Sequence, residues 1–231
     1  MHPAQCLGID VPDRTDDDVG LQFGFHGPDS TRACGACEIG LRSLDVNVIW
    51  RTLLVMLMAR RRLRRHGRLA PTAVGRVRLT TLPTDLDILG HMNNGRYLSL
   101  MDLGRWDLLV RTGLMGAMRT HGWYAVVSSE TVTFRKSLEA WQRFDLESRL
   151  IGHDDKAVYL EHRCTVDGEI YARAIVRARM MKRSGGTLSH EEMFAAVGRP
   201  EGIPDVADWI HEWAAASALP PSRAEAPSIW A

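Results

Sequence analysis

The chain has 231 residues, 45% of them hydrophobic, and a formal charge of +1 from 29 basic and 28 acidic side chains. That is enough apolar sequence for one domain with its own core plus extensions, and the balanced charge excludes a global field drawing nucleic acid. Lys136, Lys156 and Lys182 are the only lysines, and the other 26 bases are arginine, a bias that fits a GC-rich bacterial genome better than a binding surface.

Four cysteines (Cys6, Cys34, Cys37 and Cys164) are too few and too scattered for a disulfide framework, so a reducing cytoplasm is the expectation. Residues 1–46 mix Asp, Gly and Pro without a sustained period and read as a loop-like or disordered N-terminal extension. Cys34 and Cys37 form a lone CxxC with no second ligand pair. A second account of the segment is an over-called gene start, with Val46 as the natural initiator.

Residues 47–70 read as a basic amphipathic helix. "VIWRTLLVMLMA" offers about eleven apolar positions, short of the roughly 20 that span a bilayer, and "RRRLRRHGR" follows it. Two readings stand open: a helix docked on its own domain or a subunit partner, and an interfacial helix on the inner face of a membrane with its arginines at anionic headgroups (residues 48–68).

From residue 71 to 185 the pattern is regular. "GRVRLTTL" alternates as a half-buried strand, with Val77, Leu79 and Thr81 on one face. A helix is predicted over Asn94 to Arg111, with Tyr97, Leu100, Met101, Gly104 and Leu108 in one stripe and Gly113 closing it. Gly104 suits a place where a sheet comes close to the helix backbone. Four strands follow. "WYAVVSSETVTF" puts Val132 and Phe134 on a face with Val126. "RFDLESRLI" sets Phe144, Leu146 and Leu150 inward. "AVYLEHRCTV" groups Val158, Leu160, Cys164 and Val166, "VDGE" supplies an Asp-Gly hairpin turn, and "IYARAIVRARM" lines up its small alanines. Residues 186–231 read as two helices and a tail, anchored by Trp209 and Trp213. Strand, long helix, then four antiparallel strands give an α+β class: a curved antiparallel sheet wrapped around one long central helix.

The chemistry concentrates in "LPTDLDILGHMNNGRYL". Amides in a helix's first turn lack intrahelical partners and carry the positive end of the dipole, so an oxyanion formed in acyl transfer is stabilised there. A carboxylate on the loop before it can act as base or nucleophile. Ordinary capping by Asp and Asn is the competing account. There is no Gly-x-Ser-x-Gly elbow.

The stretch "TDLDILGHMNNGRYL" resembles the active-site motif of hotdog-fold thioesterases of the 4-hydroxybenzoyl-CoA thioesterase type. Together with "FRKSLEAWQRFDLESRLIGHDDKAVYLEHR" and "DWIHEW" it resembles the thioesterase superfamily member 6-like group, over roughly residues 46–216. The resemblance implies a hotdog fold and an acyl-thioester hydrolase acting on acyl-CoA or acyl-carrier-protein, with coenzyme A as part of the substrate and no cofactor or metal. It implies Asp87 as the catalytic carboxylate, the Asn94 amide as the oxyanion donor and His91 as a catalytic partner. Plant enzymes of this fold carry an asparagine two residues after the aspartate, where this chain has Leu89, so His91 stays open between a catalytic and a structural role. Asn93 and Tyr97 fall beside the substrate, although Asn93 also fits as a cap and Tyr97 as core. Arg135 and Lys136, in "FRKSL", could meet substrate phosphates or sit at a solvated strand end. Asp85 is expected to be a turn residue, and Ser128, Ser129 and Glu130 could line the cleft. The family's dimers and tetramers share sites between subunits, so a homodimer or tetramer is expected. The alternative is a non-catalytic acyl-thioester or lipid-binding protein on the same fold.

Overall fold

The computed structural model describes residues 35–199, 202–203, 205–221 and 223–229, with side chains from Val48 onward. Cys34 of the CxxC pair and residues 1–34 of the expected disordered or over-called extension lie outside the described residues, whereas residues 35–46, read as loop, are the first turns of a helix that includes Cys37. The elements run α1 (Gly35–His66), β1 (Gly75–Thr80), a 3-10 turn at Pro83–Asp85, α2 (Asn94–Arg111), α3 (Leu114–His121), β2 (Trp123–Phe134), β3 (Arg143–His153), β4 (Val158–Val166), β5 (Glu169–Lys182), α4 (His190–Val197) and α5 (Asp208–Ala216). The strands form one antiparallel sheet in the order β1-β3-β4-β5-β2.

α2 has the bounds and buried stripe that its spacing predicts: Tyr97, Leu100, Met101, Gly104 and Leu108 all face inward. Asn93 caps it by accepting from the Gly95 amide at 2.9 Å, and Gly113 turns the chain away at φ +83. Gly104 answers to the close approach expected of it. A Cβ there would come within 2.2 Å of Ser148 Oγ and 3.1 Å of Leu146 Cδ2, so β3 packs directly on the helix backbone. Leu100, Leu103 and Leu146 are sealed in that contact, each worth about 2 kcal/mol of transfer free energy. The Asp167-Gly168 turn has both residues at positive φ (50 and 84), the geometry of a tight type I′ hairpin.

Three expectations are corrected. α1 begins at Gly35, twelve residues before the start read from its apolar run. Val126 does not share a face with Val132 and Phe134. The register of β2 on β5 slips between Val127 and Ser129, so Val126 lies opposite Arg179 while Val132 lies opposite Ala174. One extra residue in a strand inverts its alternation from that point on. On α5 the buried anchors are Ile210 and Ala214 rather than the tryptophans; Trp209 is 45% exposed and Trp213 only partly buried. The helix is rotated by one residue so that Ile210 meets Tyr159 and Ile175 on the outer face of the sheet.

α1 lies along α2. Val55 and Ala59 are buried against it, and Arg62 donates to the Arg76 carbonyl at 2.8 Å. The opposite face of α1 stays in solvent, with Trp50 61% and Leu54 56% exposed. Among the described residues no helix is long and apolar enough to cross a membrane.

At the far end of β3, Asp154 closes the turn into β4. Its carboxylate accepts from the Lys156 and Ala157 amides at 2.7 Å each, from Tyr159 Oη at 2.7 Å and from Arg177 at 3.0 Å. Burial pushes this carboxyl up, but those four donors outweigh it and hold the group at about 2 against an ordinary 3.8. A depressed carboxylate stabilises the fold above its unfolded pKa and loses that contribution as pH falls through the folded one. Asp154→Asn is therefore expected to cost about 2 kcal/mol at neutral pH. In urea titrations the gap from the wild type should close between about pH 4 and about pH 2; a gap independent of pH would show the carboxylate's charge to be irrelevant.

Candidate active site

The segment between β1 and α2 folds into a compact hairpin. Leu86 bridges Met92, the Asp87 amide donates to the His91 carbonyl at 2.9 Å, and the Gly90 amide, at φ +78, returns to the Asp87 carbonyl at 3.1 Å. Only glycine adopts that φ freely, which explains the Gly of the Gly-His pair. The hairpin is fixed from two sides. The Met92 amide donates to Leu138 at 2.8 Å and the Asn93 amide to the Asp85 carbonyl at 2.9 Å.

Asp87 sits half-buried at the head of this hairpin. Its Oδ1 accepts from the Leu89 amide at 2.9 Å, and Oδ2 has no protein donor among the described residues. Leu89, where the related pattern has an asparagine, contributes its backbone and exposes its side chain. His91 is exposed and pairs through its backbone with Glu139. Asn94 is the first residue of α2, and its amide has no acceptor among the described residues. The side-chain oxygen of Asn93 is used as the cap.

Asp85 is wholly buried, as a turn residue rather than a reactive acid. Its Oδ2 accepts from Arg51 Nη1 on α1 and from the Leu82 amide, both at 2.9 Å, and Arg96 Nε lies 3.6 Å from Oδ1. Tyr97 belongs to the core. Its hydroxyl accepts from the Leu138 amide at 3.2 Å, and its ring meets Phe134 edge-on at 5.1 Å. Burial raises its phenol above the usual range. Arg135 and Lys136 converge on Glu169 at 2.7 and 2.6 Å, about half exposed, so the strand-end arrangement is the one seen. Glu130 points inward to Arg105 at 2.6 Å. Ser128 sits in the β2 bulge, donating to the Arg177 carbonyl at 3.1 Å.

The large apolar cavity, about 370 Å³, is not at Asp87. It lies beside the C-terminal half of α2, between Trp106 and Leu109, Met118 of α3, Met180 of β5, and Met193 and Phe194 of α4. Its volume falls within the roughly 300–1,000 Å³ of small-molecule sites. The sequence does not name these walls, because α3 is not evident from its pattern and because seven separate elements build them. On β4, His162 is buried with Nδ1 2.7 Å from Ser148 Oγ and no partner for Nε2 among the described residues. Burial holds that imidazole at about 3, so it is a neutral packing group.

The profile of the Thioesterase-like superfamily matches residues 81–221, more than half of the chain and all of the site. Protein THEM6 of Xenopus laevis is 35% identical over 131 residues, covering 56% of this chain and 63% of its own length. Protein THEM6 of Danio rerio is 33% identical over 129 residues, with 56% and 63% covered. The chain thus spans less than two thirds of the length of these relatives. They are animal proteins, which corrects the bacterial origin read from the arginine bias. Among solved structures, the YbaW probable thioesterase of Escherichia coli aligns at a TM-score of 0.51 and 22% identity, covering 54% of this chain and 97% of that one. This is the hotdog arrangement of a curved antiparallel sheet around one long helix. The chain belongs to the Thioesterase-like superfamily.

Proposed function

We propose that the chain is an acyl-thioester hydrolase, acting on acyl-CoA or an acyl-carrier-protein, in which Asp87 and the Asn94 amide form the reacting pair. The observation that carries this reading is the Asn94 N–H at the start of α2, without an acceptor among the described residues, at the end of the hairpin that also carries the Asp87 carboxylate with one unengaged oxygen. With the thioester carbonyl oxygen on the Asn94 N–H, Asp87 takes a proton from water as the water oxygen attacks the carbonyl carbon. The tetrahedral oxyanion rests on that N–H and the positive end of the helix dipole. Collapse breaks the C–S bond, and the proton on Asp87 passes to the departing thiolate. Direct attack by Asp87, through an anhydride that water then opens, uses the same atoms. Exposed His91, whose carbonyl accepts from the Asp87 amide, is a candidate proton carrier. Arg135 and Lys136 retain one positive charge beyond Glu169 for a substrate phosphate.

The cavity supports a long alkyl chain as the acyl group. At 1.5 Å per residue, its first lining residue on α2, Asp102, lies about 12 Å along the helix from Asn94, beyond the reach of a short acid. Thiol release from saturated acyl-CoA substrates of graded length tests the reading. Turnover should rise with chain length, whereas saturable binding without any thiol release would favour a non-catalytic acyl-thioester binder.

Two further features support the partners of this reading. β2 is an open sheet edge exposing Tyr124, Val126 and Phe134 at 40–43%, a surface that a second copy would cover. Sedimentation equilibrium should give a mass near twice 25.9 kDa or a higher multiple; the monomer mass at micromolar concentration would remove the shared-site reading. On α1, Ile49, Trp50, Leu53, Leu54, Leu57 and Met58 form an exposed apolar stripe followed by exposed Arg60, Arg61, Arg64 and Arg65. This pattern supports docking at an anionic lipid surface, each arginine adding about 1 kcal/mol. Replacing the four arginines with glutamine should weaken binding to phosphatidylserine vesicles at least tenfold, and unchanged binding would rule this surface out.

A further inference from the structure

The outer face of the sheet, away from α2, carries a polar assembly that the proposed reaction does not use. At its centre is Glu161 on β4, 2% exposed. Arg149 of β3 reaches its Oε2 through Nε and Nη2 at 3.1 and 2.9 Å. Arg163 of β4 reaches Oε1 through the same pair of atoms at 3.0 and 2.9 Å, and Arg173 of β5 reaches Oε1 through Nε at 2.7 Å. Three adjacent strands thus aim three guanidiniums at one carboxylate.

One arginine would neutralise Glu161. The other two leave like charges crowded together, a cost that a second anion would remove. The groups to receive it are in place: Nη1 of Arg149 and Arg163 and both terminal nitrogens of Arg173 have no partner among the described residues. Glu161 occupies the inner edge of each guanidinium and fixes its plane, so the donors are pre-organised rather than free to wander.

A groove of about 410 Å³ lies on these three arginines. Its far wall is the start of α5, from Asp205 to Ile210. That helix opens at Ala207, which makes no side-chain cap, so its first-turn amides lack a side-chain acceptor, and Asp208 is the acid of that turn. Trp209 stands at the groove with Arg173 stacked 5.8 Å from its ring and its side chain 45% exposed. Asp205 and Glu161 are the acids of the lining, against three arginines.

We propose that this groove binds a phosphate monoester, with the phosphate oxygens on the free edges of Arg149, Arg163 and Arg173. A tetrahedral dianion has an oxygen for each guanidinium and ample charge to offset the one cation that Glu161 and Asp205 leave over. A carboxylate offers too few oxygens. Trp209 supplies a flat apolar surface for whatever the phosphate carries, which suits a nucleotide better than a polyol.

The test is isothermal titration of the full chain with adenosine 5′-monophosphate, glycerol 3-phosphate and inorganic phosphate, beside Arg163→Gln and Trp209→Ala. Arg163→Gln leaves Glu161 with two arginines, so the fold should persist; an unchanged thermal midpoint checks this, and Arg149→Gln serves in its place if the first variant unfolds. Both phosphate esters are expected to bind the wild type, at least tenfold more weakly in the arginine variant. A loss in Trp209→Ala confined to the nucleotide identifies a base-bearing ligand, and equal affinity of the two esters there and in the wild type identifies the phosphate alone. No heat with any of the three probes, or binding that the arginine variant leaves intact, overturns the proposal.

Discussion

Arg51→Met should destabilise the fold by about 3 kcal/mol, the lower end of the cost of breaking a buried ion pair. Arg51 is 12% exposed and its partner Asp85 is fully buried. One end of the guanidinium donates to Asp85 at 2.9 Å and the other to the Thr80 carbonyl, at the end of β1, at 2.6 Å. Removing it strands a carboxylate that keeps only the Leu82 amide and Arg96 at 3.6 Å. Arg96 tempers the loss, hence the lower end of the range. Against a domain stability of roughly 5–15 kcal/mol, the change is large and should appear as a lower urea midpoint at constant slope. Adding Asp85→Asn should recover part of it, because the stranded charge is then gone. A loss under about 1 kcal/mol would mean that α1 is only loosely attached. The effect should extend to the site, since the Asp85 carbonyl holds the Asn93 amide one residue before the proposed oxyanion donor.

What could be read from the sequence follows from the range of the forces involved. α2 was legible to the residue because local signals specify it: an Asn93 cap, a stripe at helical spacing, and Gly113 beyond its end. Gly104 signalled the close approach of β3, since a helix interior keeps a glycine where a Cβ has no room. The Asp87-to-Asn94 hairpin was legible as a motif for the same local reason. Val126 was misplaced because the bulge at Ser128 is an event of pairing between β2 and β5, and neither strand alone records it. The i, i+4 spacing of Trp209 and Trp213 points to them as the anchors of α5, yet the Tyr159–Ile175 surface selects Ile210 instead. The Glu161 network could not be foreseen either. Its three arginines lie on three strands and meet only once those strands are in register. The cavity at Trp106 and Met193 is hidden for the same reason, its walls coming from α2, α3, α4 and the four strands β2 to β5.

The claim that most needs testing is that Asp87 does chemistry rather than merely shaping its turn. Asparagine at this position keeps an oxygen for the Leu89 amide, so the hairpin should survive, but it cannot take a proton or attack a carbonyl. General-base catalysis contributes typically about 10²–10⁴-fold, and kcat should fall by at least about a hundredfold while acyl-CoA affinity and thermal midpoint stay close to wild type. The measurement is thiol release from a long-chain acyl-CoA by wild type and Asp87→Asn side by side, with binding of the same substrate measured separately. Wild-type turnover lost in a folded, substrate-binding variant is the expected result. Equal rates in the two proteins would contradict the account and return Asp87 to the status of a turn residue.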